Sequence, residues 1–250
     1  MSNKTDSNIY TILFAIGMVI VVGALLAFVA QSLKPTIDEN KRIEKQQNIL
    51  YAMGVNENDE TSATFVADDK VGAEFEKYIT RQLVITNGTE VTEDDQAYLI
   101  DVKKEQSNAK DGIERRLPLF IGEKEGKTFY VAPIRGKGLW DAVWAYVAMD
   151  ANMVVQGAYF DHKGETAGLG ANIKERYFMD DFIGEHLKDA SGNFVGIAVS
   201  KSNADPLNND KTDNEVDAIA GATITGDGVA AMIRSELRLY LPYFNTLKTN

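Results

Sequence analysis

The chain has 250 residues and a formal charge of −11, enough for one membrane anchor and one or two compact domains. The acidic balance argues against a nucleic-acid partner, which requires a basic face. There is no cysteine, and His162 and His186 lie far apart. Disulfides, thiolate iron–sulfur ligation, Cys-type zinc sites and a His-rich metal site are therefore excluded within this chain, and redox chemistry would have to come from an organic cofactor or a partner.

In chain order, residues 1–8 form a short polar tail. Residues 9–31 read as a transmembrane helix, because positions 9–30 are uncharged and mostly apolar; roughly 22 such residues span a bilayer. Tyr10 sits at one border, where aromatic rings favour the headgroup zone. A cleaved signal peptide would have a shorter apolar core and a basic start. Only Lys4 precedes this run, so the segment is expected to stay as an anchor. Lys34, Lys41, Arg42 and Lys45 follow it, and by the positive-inside rule alone they lean toward a cytoplasmic domain. A helical stalk, 32–54, comes next: Thr36 and Glu39 have the spacing of a capping box after Pro35, and Gly54 is a stop.

Residues 55–126 are expected to form the N-terminal part of the soluble domain. Val71, Phe75, Tyr78, Ile79 and Leu83 give one apolar stripe and predict a helix over 71–83. Leu83, Val84 and Ile85 followed by Asn87-Gly88 predict a strand and turn. Residues 94–116 read as a polar, exposed stretch. From 127 to 245 the pattern is β-rich, with strands over 128–132, 142–148, 153–160 and 195–200 and a helix over 172–187. A last helix carries Val229, Met232, Ile233, Leu237, Tyr240 and Leu241 on one face. Strand runs joined by few helices point to an α+β fold rather than a doubly wound sheet.

Three stretches carry possible chemistry. Residues 217–228, DAIAGATITGDG, follow a polar loop (200–214) and are built of small residues and hydroxyls. One reading is a helix start, with Thr225 or Asp227 as cap and the glycines allowing a sharp entry. The other, which comes from resemblance to a known motif, is that Gly221 and Ala222 leave Thr223 open to a modifying enzyme. The second stretch, 134–140, is either a glycine turn before a packed Trp or a place where Gly138 admits a flat ligand against Leu139 or Trp140. The third, 162–170, is either a flexible loop or a set of hydrogen-bonding groups (Glu165, Thr166 and the amides near Gly168 and Gly170) for a bound ligand. It lacks the strand–loop–helix context of a dinucleotide fingerprint.

Ala-Gly-Ala-Thr, with Asp217 before it and Thr225 after it, resembles the flavinylation motif of covalent flavoprotein subunits. The three stretches together, behind an N-terminal anchor, resemble the C subunit of the Na⁺-translocating NADH:quinone reductase; the G subunit of the Rnf-type ferredoxin:NAD reductase is the nearest related family. The Leu117–Phe120 and Gly138–Trp140 segments favour the former. The chain departs from the family pattern at Ala220, usually Ser or Thr, at Ala167, usually Pro, and by an extra residue between His162 and Glu165.

The resemblance implies FMN bound through a phosphoester to Thr223, in an FMN-binding domain over 127–245. The binding residues it suggests are Gly138, Leu139, Trp140, Glu165, Thr166, Gly168, Leu169, Gly170, Asp217, Gly221 and Ala222. It implies a flavin transferase that takes FMN from FAD with Mg²⁺, partner subunits of a membrane reductase, and a periplasmic domain on a bacterial inner membrane, against the local charge pattern. It assigns no acid–base residue. Positions 9–30 contain no carboxylate that could ligate an ion inside the membrane, so ion movement is expected of the complex and not of this chain by itself. The rival readings are an Rnf-type counterpart and a membrane-tethered scaffold without cofactor.

Overall fold

The helix that begins at Asn8 does not stop at Pro35. In the computed structural model, which describes residues 8–59, 63–201, 205 and 207–247, α1 runs unbroken from Asn8 to Ala52. Thr36 is therefore helix interior and not a cap. Glu39, expected to reach back to it, instead pairs with the Arg42 guanidinium one turn on, with Arg42 Nε at 2.9 Å. Helix continuity supplies the first-turn amides of the supposed stalk with carbonyl partners, so a capping box has nothing to cap. Gly54, at φ +71°, does end the run. Within 8–52 the helix is long and apolar enough to cross a membrane, and the apolar stretch is wholly exposed. The polar tail expected at 1–8 lies almost entirely outside the described residues.

The chain divides into two compact units, Met1–Arg42 and Ile43–Asn250. The second is built on one six-stranded antiparallel sheet, ordered β2-β1-β3-β4-β5-β6. Its strands are β1 (Ile79–Thr86), β2 (Glu90–Glu93), β3 (Leu117–Lys124), β4 (Lys127–Lys137), β5 (Ala142–Met149) and β6 (Val155–His162). Strands from both sides of residue 127 thus share the sheet, which is mixed with helices as an α+β fold.

Both faces of the sheet are covered, and the side chains alternate accordingly. Leu83, Leu119, Ile134, Ala145 and Val147 pack in one layer with the C-terminal helices. Val84, Phe120, Phe129, Val131 and Ala148 pack in the other with Ile49, Leu50 and Met53 from the end of α1 and with Phe75 from α2 (Val71–Tyr78). This two-sided burial accounts for β3: Leu117, Leu119, Phe120 and Ile121 are all buried, so the strand lacks the polar alternation of a half-exposed one.

Several expected elements come out differently. The apolar stripe over 71–83 splits at Tyr78, because Ile79 onward pairs antiparallel with β3; sheet pairing overrides a helical pattern. The turn at Asn87-Gly88 is present, both residues having positive φ. The stretch 94–116 is not simply exposed. It holds α3 (Val102–Lys110), capped by the Asp101 carboxylate at 2.9 Å from the Lys103 amide, and a buried Glu105 that takes three donors from Arg116. The helix expected over 172–187 is a 3-10 turn (Gly170–Lys174) and α4 (Arg176–Asp181). Gly184, at φ +89°, breaks the path, and beyond it the Val155 amide bonds to the Glu185 carbonyl and the Leu187 amide to that of Met153. The strand expected over 195–200 shrinks to β7 (Ala198–Val199), paired in parallel with β8 (Glu215–Val216). Residues 202–204 and 206 of the polar loop lie outside the described residues. The last helix, expected after Thr225, is α5 (Thr223–Leu237); it starts three residues earlier and is followed by α6 (Leu241–Leu247).

Candidate functional site

Two glycines seat α5 on the sheet. A Cβ on Gly228 would lie 2.3 Å from the Lys137 carbonyl oxygen, and one on Gly136 would lie 2.7 Å from Met232 Cβ. Only hydrogen fits at either place, so the second and third turns of α5 come down against the end of β4, where the chain turns through Gly138, Leu139 and Trp140. The loop after β6, 163–170, meets the same place.

Thr223 opens α5 and is exposed; Thr225, one step round the turn, is only 1% exposed. The residue in the capping position is Ala222, and no side chain caps the helix. Thr225 and Asp227 are therefore not caps. The Thr225 hydroxyl donates to Glu165 Oε2 at 2.5 Å, and Asp227 pairs with Lys201 at 3.2 Å on the surface. The amides of Thr223, Ile224 and Thr225 have no carbonyl a turn earlier within the helix. They carry the positive end of its dipole.

Glu165 is the hub, and it is only 7% exposed. Its Oε1 accepts from the Trp140 amide at 2.9 Å and weakly from the Asp141 amide at 3.5 Å. Burial alone would raise its pKa. The hydrogen bonds from the Thr225 hydroxyl and from the amides of Trp140, Asp141 and Leu139 outweigh that and hold the carboxyl below the usual range. It is an ionised group whose oxygens are already taken by its own chain. Gly138 and Gly170 make room for it: a Cβ on either would come 2.6 or 2.7 Å from a Glu165 oxygen. The Glu165 amide in turn donates to His162 Nδ1 at 3.1 Å, and His162 Nε2 is buried without a hydrogen-bond partner.

The remaining sequence-derived candidates divide clearly. Leu139, Thr166, Leu169, Gly170, Gly221 and Ala222 line, with Glu165, Thr223 and Thr225, a half-open notch of about 250 Å³. Gly221 has φ +72°, and its Cβ position would lie 2.9 Å from Leu169 Cδ2, so no other residue closes that wall without strain. Trp140 is not in the lining. It is 67% exposed at the rim, its indole N–H donating to Thr166 Oγ1 at 3.1 Å, and it is not the packed core Trp that a glycine-turn reading expects. Gly168, at φ +76°, shapes the turn but does not face the notch. Asp217 does not line it either; burial and the nearby Asp205 carboxylate raise its pKa. Ile224 lines the notch and sequence reasoning passed over it; its only signal is adjacency to Thr223. The Thr225–Glu165 bond, between residues 60 apart, left no trace in the sequence.

The notch suits a flat, partly apolar group with an anionic tail. Leu139, Leu169 and Ile224 are exposed apolar surfaces around it. Gly170 and Gly221 put no Cβ on its walls. Thr223 and the first-turn amides offer a hydroxyl and a site for negative charge at one end. Among the described residues no group of three or more His, Cys, Asp or Glu is arranged to hold a metal.

Comparison with known proteins gives the family. The chain is 30% identical over 246 residues to the C subunit of the Na⁺-translocating NADH-quinone reductase of Pseudomonas aeruginosa, covering 92% of this chain and 90% of that one. It is 31% identical to the Haemophilus ducreyi C subunit, covering 90% and 87% of the two chains. This chain belongs to the family of C subunits of the Na⁺-translocating NADH-quinone reductase. Members of that family are parts of an oxidoreductase of several subunits, and this chain is one of them. The model of the FMN-binding domain matches residues 138–238, a span that opens at Gly138 and contains Glu165 and Thr223. The crystal structure of the C subunit from Parabacteroides distasonis superposes with a TM-score of 0.71 at 29% identity, over 85% of this chain and 96% of that one. The family thus supplies both the fold and the frame in which the notch is read.

Proposed function

We propose that this protein bears FMN esterified through its phosphate to Thr223 and passes electrons between other subunits of a membrane reductase that moves Na⁺ while transferring electrons from NADH to quinone. The observation that carries the assignment is the contrast between two threonines in one helical turn. Thr223 is exposed beside the notch, and Thr225 is buried with its hydroxyl already donated to Glu165. A transferase can approach only the first.

The attachment is a phosphoryl transfer. The Thr223 hydroxyl oxygen forms a bond to the phosphorus of the FMN half of FAD, the pyrophosphate bond breaks, AMP leaves and the hydroxyl proton is released, with Mg²⁺ offsetting charge on the phosphates. The first-turn amides of α5 then face the phosphodiester. Leu139, Leu169 and Ile224 offer apolar surface to the ring, and Thr166 and Trp140 form its rim. FMN held there supplies the redox chemistry, and the protein supplies orientation and electrostatics. A half-open notch leaves one edge accessible, which a carrier between subunits requires. Residues 9–30 anchor the protein, and the domain faces the periplasm, where covalent attachment keeps a cofactor that no cytoplasmic pool could replace. Long domains translocate largely regardless of flanking charge, so the basic residues after the span do not oppose this.

Two measurements test the reading. Intact mass of the full chain co-expressed with a flavin transferase should show one added FMN, absent from Thr223→Ala; ester-linked flavin on that variant would overturn the assignment. An alkaline phosphatase fused after Asn250 should be active. Activity only from a cytoplasmic reporter would reverse the orientation.

A further inference from the structure

We propose that Glu165 is a positioning residue that braces the attachment threonine against the ring-bearing loop, and that it is not itself a ligand of FMN. The inference rests on the Thr223 reading above but on separate observations.

The carboxylate joins three segments that are distant in sequence. Oε2 takes the Thr225 hydroxyl from the first turn of α5, and Oε1 takes the amides that open the 139–141 loop. The amide of Glu165 itself is held by His162 Nδ1 at the end of β6. The space for the carboxylate is made by Gly138 and Gly170, whose missing Cβ atoms would otherwise collide with its two oxygens. A side chain that served mainly to bind a ligand would keep an acceptor turned to the notch. Here both oxygens are engaged by the protein. A carboxylate would also repel the phosphate and the electron-rich carbonyl edge of a flavin, so the amides and hydroxyl around it shield its charge from the site.

What the brace sets is register. Thr225 is two residues from Thr223, and Trp140 adjoins Leu139 on the notch wall. With Glu165 in place, the acceptor hydroxyl and the apolar wall stand at fixed separation before any cofactor arrives. Without it, the turn of α5 and the 139–141 loop are joined through the sheet and through the looser contacts of Trp140 with Thr166 and of Leu169 with Gly221, and the transferase meets a more mobile acceptor.

The test uses the full-length chain in detergent, with purified flavin transferase, FAD and Mg²⁺. Thr225→Val removes the donor at nearly constant volume, Thr225→Ser restores it, and Glu165→Gln removes the charge. Two readouts are taken: the rate of FMN addition by intact mass, and amide exchange at Leu139, Trp140 and Asp141 in the chain before flavinylation. The brace predicts at least tenfold slower attachment and faster exchange at those amides for Thr225→Val and Glu165→Gln, with both restored in Thr225→Ser. Wild-type rates and protection in Thr225→Val and Glu165→Gln overturn it. So does a changed flavin absorption spectrum in Glu165→Gln with unchanged exchange, the pattern of a direct ligand. If the wild-type chain accepts no FMN at all, the Thr223 reading fails. The exchange data still decide the brace.

Discussion

Thr225 donates its hydroxyl to Glu165 at 2.5 Å, and Thr223, two residues earlier in the same turn, is exposed. Two hydroxyls of one short motif are thereby given different tasks. Thr225→Ala leaves a buried carboxylate oxygen without its donor, which costs about 1–3 kcal/mol, where loss of a simple cap would cost about 1 kcal/mol. Thr223→Ala touches no such bond and should change stability by less than about 0.5 kcal/mol. Urea unfolding of the two variants compares them directly; equal losses would mean that Thr225 does no more than start the helix.

The seat of α5 depends on Gly228. In Gly228→Ala the new Cβ meets the Lys137 carbonyl oxygen at 2.3 Å, a backbone atom that cannot rotate aside. Ala gains about 1 kcal/mol over Gly in a helix, but the displaced helix should outweigh that by about 2 kcal/mol net. Attachment of FMN should slow as well, since Thr223 moves with the helix. A higher Tm for this variant would show that α5 and β4 have room to move apart at no cost.

Trp140 is largely exposed and held at its indole N–H by Thr166. Trp140→Ala should therefore cost little stability. It should alter the fluorescence or the potential of attached FMN and leave the mass of the flavinylated chain, less the side chain, unchanged. Unaltered flavin spectra would remove Trp140 from the ring's surroundings.

Glu185 gives the domain a pH dependence. It is fully buried, its Oε2 has no partner, and Lys211 and Asn208 reach only Oε1. Burial, with the Asp213 charge, pushes its pKa up to about 7 from 4.5, against the opposing pull of Lys211 and Asn208. The folded state then holds the proton more firmly than the unfolded chain. Stability from this group is complete below pH 4.5 and is lost as pH rises through about 7. Asp181 and Asp217 are raised too and add the same sign. Tm measured from about pH 5 to about pH 8 should fall, and Glu185→Gln should flatten the fall. A variant with the same slope as wild type would place the titration elsewhere.

The long apolar N-terminal helix, the α+β class, the strands around 128–132 and 142–148, and the three stretches that converge on the notch were legible from residue order. Each is a local signal: an apolar run of membrane length, period-two alternation, or small residues beside a hydroxyl. Residue order did not show that Thr225 is held by Glu165, that Thr36 lies inside a continuous helix, or that the 71–83 stripe divides at Tyr78. Nor did it show that β3, apolar at nearly every position, lies between two covered layers. Those outcomes depend on which partner a residue meets across the fold. A hydroxyl at a helix start caps that helix by default and is diverted only when a carboxylate from a distant loop lies within reach. That reach exists because Gly136 and Gly228 let α5 down onto β4, and Gly138 and Gly170 leave the carboxylate its space. Chain order names these residues, and tertiary packing sets the distances between them.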